Sequence, residues 1–305
     1  MPFISVIVPN YCYAQFLEQR LETVLNQSYQ EFEVIILDDA SPDGGASKAI
    51  IERYRENPHV SHIVYNKENS GSPFRQWEKG INLAVGDWIW IAESDDFCEL
   101  DFLKRMTAFL NEDTSMVFCT SQKVNYKGDK IDPVFRPSDA TIHYSGKEFI
   151  QKEMLYGNAI WNASAAVFSR KKALRVNKDF MEYRSVGDKL FWIYMAEQGT
   201  VEQILAPLNY FRRHENSVSP VAIRDGITER EDFQILRYME NKGYVPFFDK
   251  FRIRDIRLQC IQDTSYSDES IRQDLISLWS LHGLMDSSLY RLLRKILKGF
   301  KQLFR

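Results

Sequence analysis

The sequence predicts an α/β fold with a mostly parallel sheet that helices cover on both faces. Short apolar runs rich in β-branched and aromatic residues recur four times before residue 100. Apolar residues at helical spacing follow each of the first three runs, and polar residues follow most of them directly. Alternation of strand and helix is typical of a parallel sheet built from βαβ units.

The four apolar runs predict strands at residues 3–8, 32–37, 63–65 and 88–92. Stripes of apolar residues predict the helices between them; these begin near Phe16, Ile50 and Phe74. The later chain is less regular. It predicts helices at 100–110 and 186–198, strands at 116–126 and 165–168, one or two strands within 201–211, and a helical region from 222 onward. We therefore expect one domain at 1–218 and a helical C-terminal region at 219–305.

Composition limits the class of protein. Of the 305 residues, 44% are hydrophobic and 27% are charged, as in ordinary globular proteins. The net charge of −3 gives no reason to expect a nucleic-acid partner. The four cysteines have no paired spacing, which disfavours a disulfide framework or a zinc site. No apolar run of about 18 residues is present, and the first residues lack a basic segment, so we expect a cytoplasmic protein.

Acidic side chains follow the fourth predicted strand, where Trp88-Ile-Trp-Ile-Ala92 runs into Glu93, Asp95 and Asp96. In open α/β sheets the carboxyl ends of the strands form the ligand-binding edge. Two other polar pairs, Asn10-Tyr11 and Asp38-Asp39, are predicted at the same edge. Carboxylates of this kind suit Mg²⁺ or Mn²⁺ bound together with substrate phosphates. The alternative for Asp95 and Asp96 is a solvated acidic turn.

Two common nucleotide-binding motifs are missing from the sequence. No Gly-x-Gly-x-x-Gly follows the first strand, and no Gly-x-x-x-x-Gly-Lys-Ser/Thr occurs. The ordinary dinucleotide fold and the P-loop NTPases are therefore disfavoured.

Five segments, in order, resemble the family 2 glycosyltransferases across roughly residues 3–215. The matching segments are Ser5-Val-Ile-Val-Pro-Asn-Tyr11, 32–41 with Asp43, Asn69-Ser-Gly71, 79–86 with Lys79, Gly80, Ala84 and Gly86, and Glu93-Ser-Asp-Asp96. The resemblance implies a GT-A fold, in which a Rossmann-like nucleotide-binding sheet merges with an acceptor-binding half. It also implies transfer of a sugar from a nucleotide-sugar to an acceptor hydroxyl, usually with inversion and a divalent metal. We expect a hexosyltransferase of the bacterial polysaccharide, O-antigen or capsule type.

The resemblance assigns a donor site. Asp39 would accept a hydrogen bond from the nucleobase, Tyr11 would stack on it, and Pro9 would shape the turn. Asp96 would be the principal ligand of Mn²⁺ or Mg²⁺, with Asp95 at the metal or the ribose. The expected nucleotide-binding residues are Pro9, Tyr11, Asp38, Asp39, Asn69, Gly71, Lys79 and Asp95. The nucleotide is most often UDP in this family, while GDP and dTDP remain open.

The resemblance also assigns a base, because inversion needs a group that takes the proton of the acceptor hydroxyl. Asp188, at the predicted start of the helix 186–198, matches that position. The family often has an acid before this residue, where this chain has Gly187. Glu93 is a second departure, because many relatives have Asp there. The alternative for Asp188 is an acid that interacts with the dipole of its own helix.

Two further predictions concern the binding of the diphosphate and of the acceptor. Arg213 and His214 resemble the start of an Arg/His-x-x-Ser motif in a loop that closes over the diphosphate, and the alternative is an exposed basic turn. Trp161 and Trp192 fall in the acceptor half and are candidates for stacking on a sugar ring, although either can instead belong to the core.

The last residues, 289–305, predict a basic amphipathic helix, with six cations, no acid and leucines at helical spacing. Such a helix is typical of a membrane surface contact, and the alternative is packing against the protein. The membrane hypothesis fits a lipid-linked saccharide acceptor at the cytoplasmic face of the inner membrane.

For the whole chain, two other functions stay open: a non-catalytic sugar- or nucleotide-binding module, and a nucleotidyltransferase. The latter lacks a Gly-rich basic loop here.

Overall fold

The computed structural model describes residues 3–136, 138–214 and 218–280, and within them a mixed nine-stranded sheet. The predicted α/β fold with helices at its C-terminal end is confirmed. The strands are β1 (Ile4–Asn10), β2 (Phe32–Asp38), β3 (Val60–Tyr65), β4 (Trp88–Ile91), β5 (Phe97–Cys98), β6 (Thr114–Val124), β7 (Thr141–Ser145), β8 (Ala166–Ser169) and β9 (Thr200–Arg212).

The strand order is β3-β2-β1-β4-β8-β6-β9-β5, with β7 paired to the same strand β9. Strands β1 to β4 run parallel; Ile4, for example, lies between Phe32 of β2 and Trp88 of β4. Strand β8 pairs antiparallel with β4 and with β6, which begins the mixed half of the sheet. Because β1, β2 and β4 are parallel, the loops that follow them meet at one edge.

Helices cover both faces of the sheet. They are α1 (Ala14–Leu25), α2 (Ala46–Glu52), α3 (Pro73–Leu83), α4 (Phe102–Thr107), α5 (Gly146–Phe149), α6 (Arg170–Ala173), α7 (Gly187–Ala196), α8 (Val218–Arg224), α9 (Ile227–Asn241), α10 (Phe247–Asp263) and α11 (Glu269–Trp279). Within the part of the chain that the structure describes, every helix is too short or too polar to span a lipid bilayer.

Two short strands differ from the sequence prediction. Strand β5 contains only Phe97 and Cys98, and it exists because these residues pair with Asn209 and Tyr210 of β9. Strand β7 is largely exposed and pairs only with β9. Neither has an apolar run of its own, so local pattern does not reveal them. The region predicted as one or two strands near 201–211 is the single long strand β9.

Alternate residues of β1 supply the two hydrophobic cores. Val6 and Val8 face a cluster that contains α1, whereas Ile7 faces the cluster that contains α3 and α7. Because β1 is buried on both faces, apolar residues are not confined to alternate positions, and Ser5 and Asn10 are its polar residues. Gly80 of α3 lies so close to the sheet that an added Cβ would be 2.4 Å from Ile7 Cγ2. A glycine is required there by the distance between helix and strand.

The C-terminal helices are fastened to α7 by buried charges. Lys189 Nζ of α7 is 2.8 Å from Asp232 Oδ1 of α9. The carboxylate of Glu231 accepts hydrogen bonds from the backbone N–H groups of Arg184 (2.7 Å), Ser185 (2.9 Å) and Val186 (3.0 Å). The start of α7 is thus held by α9.

The domain boundary at 218 stays a prediction, and the predicted basic helix 289–305 lies outside the described residues.

Replacing Glu231 with Ala is expected to lower the free energy of unfolding by about 1–3 kcal/mol, because three N–H groups lose their acceptor. Thermal or urea unfolding measures the change. Glu112→Ala is the control, since Glu112 is exposed and the described residues give it no bond. Equal stability of both variants would show that the carboxylate does not hold this segment.

Candidate active site

A cavity of about 440 Å³ lies at the edge where β1, β2 and β4 end. It brings together most of the residues that the sequence singled out, although they are far apart in the chain. The predicted site residues that line it are Pro9, Tyr11, Asp39, Asn69, Gly71, Asp95, Asp96, Trp161, Asp188 and Arg213. Convergence at this edge is the arrangement expected of a ligand site in an α/β sheet.

Asp39 is held by donors from the segment that follows β3. Its carboxylate accepts from Asn66 Nδ2 (2.5 Å), Asn69 Nδ2 (3.1 Å), Gln76 Nε2 (2.8 Å) and both the backbone N–H (3.0 Å) and hydroxyl (2.7 Å) of Ser70. A carboxylate offers about four lone-pair positions. An incoming nucleobase N–H must therefore replace one of these donors.

The backbone at the two strand ends is strained. Cys12 after β1 and Ala40 after β2 have φ values of 60° and 58°, a region that non-glycine residues rarely adopt. Ser41 Oγ accepts from Cys12 N at 2.9 Å and so ties the two loops together. Such strain concentrates at functional sites. Tyr11, in the first loop, is 44% exposed, and its ring is accessible for stacking.

Asp38, in contrast, does not line the cavity. Its carboxylate is buried and accepts from Asn10 Nδ2 (2.7 Å), Ser41 N (3.0 Å) and Ser41 Oγ (2.8 Å). Lys79 also lies behind the wall, where its ammonium donates to the side-chain oxygen of Asn66. Asn66 in turn donates to Asp39, so Lys79 reaches the site only through that residue.

The acidic turn after β4 is largely removed from solvent, since Ser94 and Asp96 are buried and Glu93 and Asp95 are half-buried. Asp96 is 1% exposed, and burial, followed by the charge of Asp95, raises its pKa to about 7. Burial, again followed by Asp95, raises the pKa of Glu93 to about 8, although Trp77 Nε1 donates to Glu93 at 2.9 Å. Crowded buried carboxylates disfavour ionisation unless a positive charge offsets them.

Two arginines lie against this turn. Arg20 of α1 is fully buried; its Nε donates to the carbonyl of Glu93 at 2.9 Å, and its Nη2 is 3.9 Å from Asp96 Oδ2. Arg212, the last residue of β9, donates from Nε to the carbonyl of Asp95 at 2.8 Å, and its backbone N–H donates to Asp96 Oδ1 at 3.0 Å. The two guanidinium groups offset part of the negative charge.

Among the carboxylates that line the cavity, Asp95 and Asp96 are the two predicted to bind a cation. Asp96 also accepts from the amide of Asn162, and Asp95 is the more exposed of the two. Across residues 3–136, 138–214 and 218–280, no three His, Cys, Asp or Glu side chains are grouped to hold a metal. Two carboxylates plus substrate phosphates are nevertheless the ordinary ligand set for Mg²⁺. The residues present therefore fit a metal that binds with its nucleotide.

His214 holds Asp95 instead of lining the cavity. Its Nε2 is 3.0 Å from Asp95 Oδ2, and its ring contacts Tyr13, with the ring centroids 5.3 Å apart. Arg213 is exposed at the cavity rim. Ser217, the serine of the predicted Arg/His-x-x-Ser motif, lies outside the described residues.

Asp188 lies in the first turn of α7 and lines the same cavity. Burial raises its pKa to about 6, and a hydrogen bond from Asn158 Nδ2 at 2.9 Å opposes that change. A carboxylate with such a pKa is ionised at neutral pH and is able to accept a proton. A glycine at position 187 is required for steric reasons, because an added Cβ would be 2.4 Å from the carbonyl oxygen of Phe180.

The two tryptophans predicted to bind the acceptor differ in their exposure to solvent. Trp161 is 39% exposed and lines the cavity, with Lys123 Nζ 4.2 Å from its ring centroid. The expectation for Trp192 is wrong. Its side chain is fully buried against Trp77 and Phe168, so no face is available to a sugar.

Sequence reasoning missed the residues that support the acidic turn and Asp39. Arg20 occupies a helix position whose spacing indicates only a surface charge, and Arg212 cannot be told from Arg213 by pattern. Asn162 and Gln76 are polar residues outside the recognised motifs. Each acts through a partner distant in sequence, so the tertiary structure is needed to find it.

The family model for glycosyl transferase family 2 matches residues 5–176, which is more than half of the chain. Among curated proteins, a putative teichuronic acid biosynthesis glycosyltransferase of Bacillus subtilis is 27% identical over 72% of this chain and 82% of its own length. A poly(ribitol-phosphate) β-N-acetylglucosaminyltransferase of Staphylococcus aureus is 33% identical, over 41% of this chain and 22% of its own length.

Solved structures share the fold. That S. aureus enzyme, TarS (residues 1–349), in complex with UDP-GlcNAc, matches 91% of this chain and 71% of its own with a TM-score of 0.58 and 18% identity. A mannosyltransferase of Pyrobaculum calidifontis in complex with GDP-Man and Mn²⁺ matches 100% of this chain and 81% of its own, with the same TM-score and 14% identity. Together with the family model, the fold and the converging motifs lead to one conclusion: this chain belongs to glycosyl transferase family 2, and it is a glycosyltransferase.

Proposed function

We propose that the protein transfers a sugar from a nucleoside-diphosphate donor, with UDP as the expected nucleotide, to a hydroxyl of a saccharide acceptor with inversion. The observation that carries the proposal is that the donor-site candidates and the candidate base line the same cavity. It is lined by Asp39, Asp95 and Asp96 at the sheet edge and by Asp188 at the start of α7. A donor site and a candidate base thus face the same space.

Recognition of the nucleotide falls to the loops after β1 and β2. Tyr11 stacks on the base, and Asp39 accepts its N–H group after giving up one of its present donors. The S. aureus complex with UDP-GlcNAc supports a uracil nucleotide. The P. calidifontis complex with GDP-Man makes a guanine nucleotide the alternative to test.

Asp96 and Asp95 would hold Mn²⁺ or Mg²⁺ together with the diphosphate. Such an ion stabilises the charge that develops on a leaving diphosphate. Arg20 and Arg212 keep the turn in place, while His214 orients Asp95. Arg213, at the rim, supplies a further positive charge near the leaving group.

Asp188 takes the proton of the acceptor hydroxyl. Asn158 fixes the carboxylate orientation, and the fixed start of α7 fixes its position. Trp161 offers an exposed ring on the cavity wall for a sugar.

The relatives suggest a cell-surface polysaccharide as the product, because their names refer to teichuronic acid and poly(ribitol-phosphate). A lipid-linked acceptor, a cytoplasmic location and contact with the inner-membrane surface complete the proposal. The last of these depends on residues 289–305, and deletion of that segment with a vesicle-binding assay tests it.

Asp96→Ala is expected to abolish the metal-dependent part of nucleotide binding. UDP, GDP, dTDP, CDP and ADP are compared by thermal shift with and without Mn²⁺, because a ligand specific for the folded state raises its stability. Asp87→Ala is the matched control, since Asp87 is exposed at the opposite end of β4. Absence of any shift in the wild type contradicts the donor site.

Asp39→Asn is expected to weaken nucleotide binding and also to destabilise the nucleotide-free protein by about 1–3 kcal/mol. The new amide turns a donor toward the donors of Asn69, Ser70 and Gln76. Urea unfolding without nucleotide isolates the second effect. An unchanged midpoint would mean that these hydrogen bonds do not hold the segment.

Asp188→Asn is expected to leave nucleotide binding intact and to reduce transfer by about 10²–10⁴-fold, as for loss of a general base. The measurement compares turnover with the nucleotide thermal shift of the same preparation. Normal turnover would place the base elsewhere.

The pH dependence provides a separate test. Because the raised pKa of Asp188 is about 6 and only its ionised form accepts a proton, kcat/KM for the acceptor, at saturating donor and Mn²⁺, is expected to be constant above neutrality. It should fall roughly tenfold per pH unit well below 6. A profile that rises toward acid pH excludes Asp188 as the base.

A further inference from the structure

A second cavity, of about 810 Å³, lies beside the first. The two cavities share Gly71, Ser72 and Pro73 at the start of α3. The other walls of the second cavity come from the segment before α7 and from the α8–α9 junction. Their residues are Ser70, Arg75, Met181, Glu182, Tyr183, Arg184, Val221, Ala222, Asp225 and Ile227. None of the residues proposed for the metal or the base lines it.

Two arginines of this second cavity carry exposed guanidinium groups. Among the described residues, none forms an ion pair or hydrogen bond with the side chain of Arg75 or Arg184. Of the two carboxylates in the wall, Asp225 is bonded to Arg224 at 3.4 Å, which leaves Glu182. Positive charge is therefore in excess over the uncompensated negative charge.

Both arginines are presented by rigid parts of the fold. Arg75 lies in the first turn of α3. The backbone N–H of Arg184 donates to Glu231 at 2.7 Å, and the next two residues donate to the same carboxylate. A guanidinium on a fixed backbone loses less conformational entropy when it binds.

The second cavity is close to the proposed base. Arg184 precedes Asp188 by four residues, so their Cα atoms are at most roughly 14 Å apart. A short oligosaccharide bridges such a distance. A chain whose terminal hydroxyl reaches Asp188 is thus able to extend past the shared wall and toward the two arginines.

We propose that the second cavity is the acceptor site and that it selects a saccharide bearing carboxylate or phosphate groups, which Arg75 and Arg184 bind. Guanidinium groups form bidentate, charge-assisted hydrogen bonds with both kinds of anion. Tyr183, Val221 and Ile227 supply apolar surface for the sugar rings. This inference rests on the proposed glycosyltransferase function, and it adds the location and the chemical class of the acceptor.

Calorimetric titration of the full chain tests the proposal with three probes. A trigalacturonate carries carboxylates, a phosphorylated maltotriose carries phosphates, and maltotriose itself is neutral. The wild type is expected to bind at least one anionic probe, with an affinity that falls as salt is added, and to bind maltotriose more weakly. Which anionic probe binds identifies the carboxylate or the phosphate as the preferred group.

The double variant Arg75→Gln with Arg184→Gln is expected to weaken that binding by at least roughly tenfold, given the strength of charged hydrogen bonds. Arg175→Gln is the matched control, because Arg175 is exposed and lies outside the second cavity. Both arginines of the pair are exposed, so the fold is retained, and thermal unfolding verifies this.

Failure of both anionic probes to bind the wild type, or equal binding by wild type and double variant, overturns the acceptor site. The nucleotide thermal shift with Mn²⁺, measured on the same preparations, distinguishes failure of the acceptor site from failure of the proposed glycosyltransferase function. If that shift persists in every variant while the arginines have no effect, only this inference fails. If the wild type shows no nucleotide shift, the proposed function itself fails.

Discussion

Burial of the acidic turn after β4 is the constraint on which the rest of the site depends. Asp96 is buried and Glu93 is half-buried at the end of a central strand, and burial raises the pKa of each. Isolated charges in such a place are unfavourable. Arg20 of α1 donates to the carbonyl of Glu93, and Arg212 at the end of β9 donates to the carbonyl of Asp95 and to the carboxylate of Asp96.

A related network connects the C-terminal helices with the catalytic half. Lys189 follows Asp188 directly and forms a buried pair with Asp232, while Glu231 accepts hydrogen bonds from the segment before α7. Arg257 also pairs with Asp232, at 2.7 Å. The family model ends at residue 176, yet the position of the proposed base depends on α9. The helical region therefore contributes to the geometry of the site and not only to stability.

Much of the fold was predictable because β1, β2 and β4 are buried along their whole length and are mainly apolar, which gives a clear local signal. Strands β5 and β7 had no such signal, since pairing with β9 alone maintains them. The site residues were likewise predictable only where a clear local signal existed. Tyr11, Asp39 and Asp96 belong to loops that directly follow strong strands, whereas Trp192 has the same residue type as Trp161 but lies in the core.

Local periodicity and residues adjacent in the chain were enough to predict the α/β class, the sheet edge at which the candidate site residues meet and the order of the family motifs. The polar groups that support these residues became apparent only in the folded protein. Asp38 fastens two loops, Asp39 is enclosed by donors, and Arg20 and Arg212 offset the buried acids. Hydrogen bonds and charge compensation act between residues that folding brings together, and their partners leave no pattern along the chain.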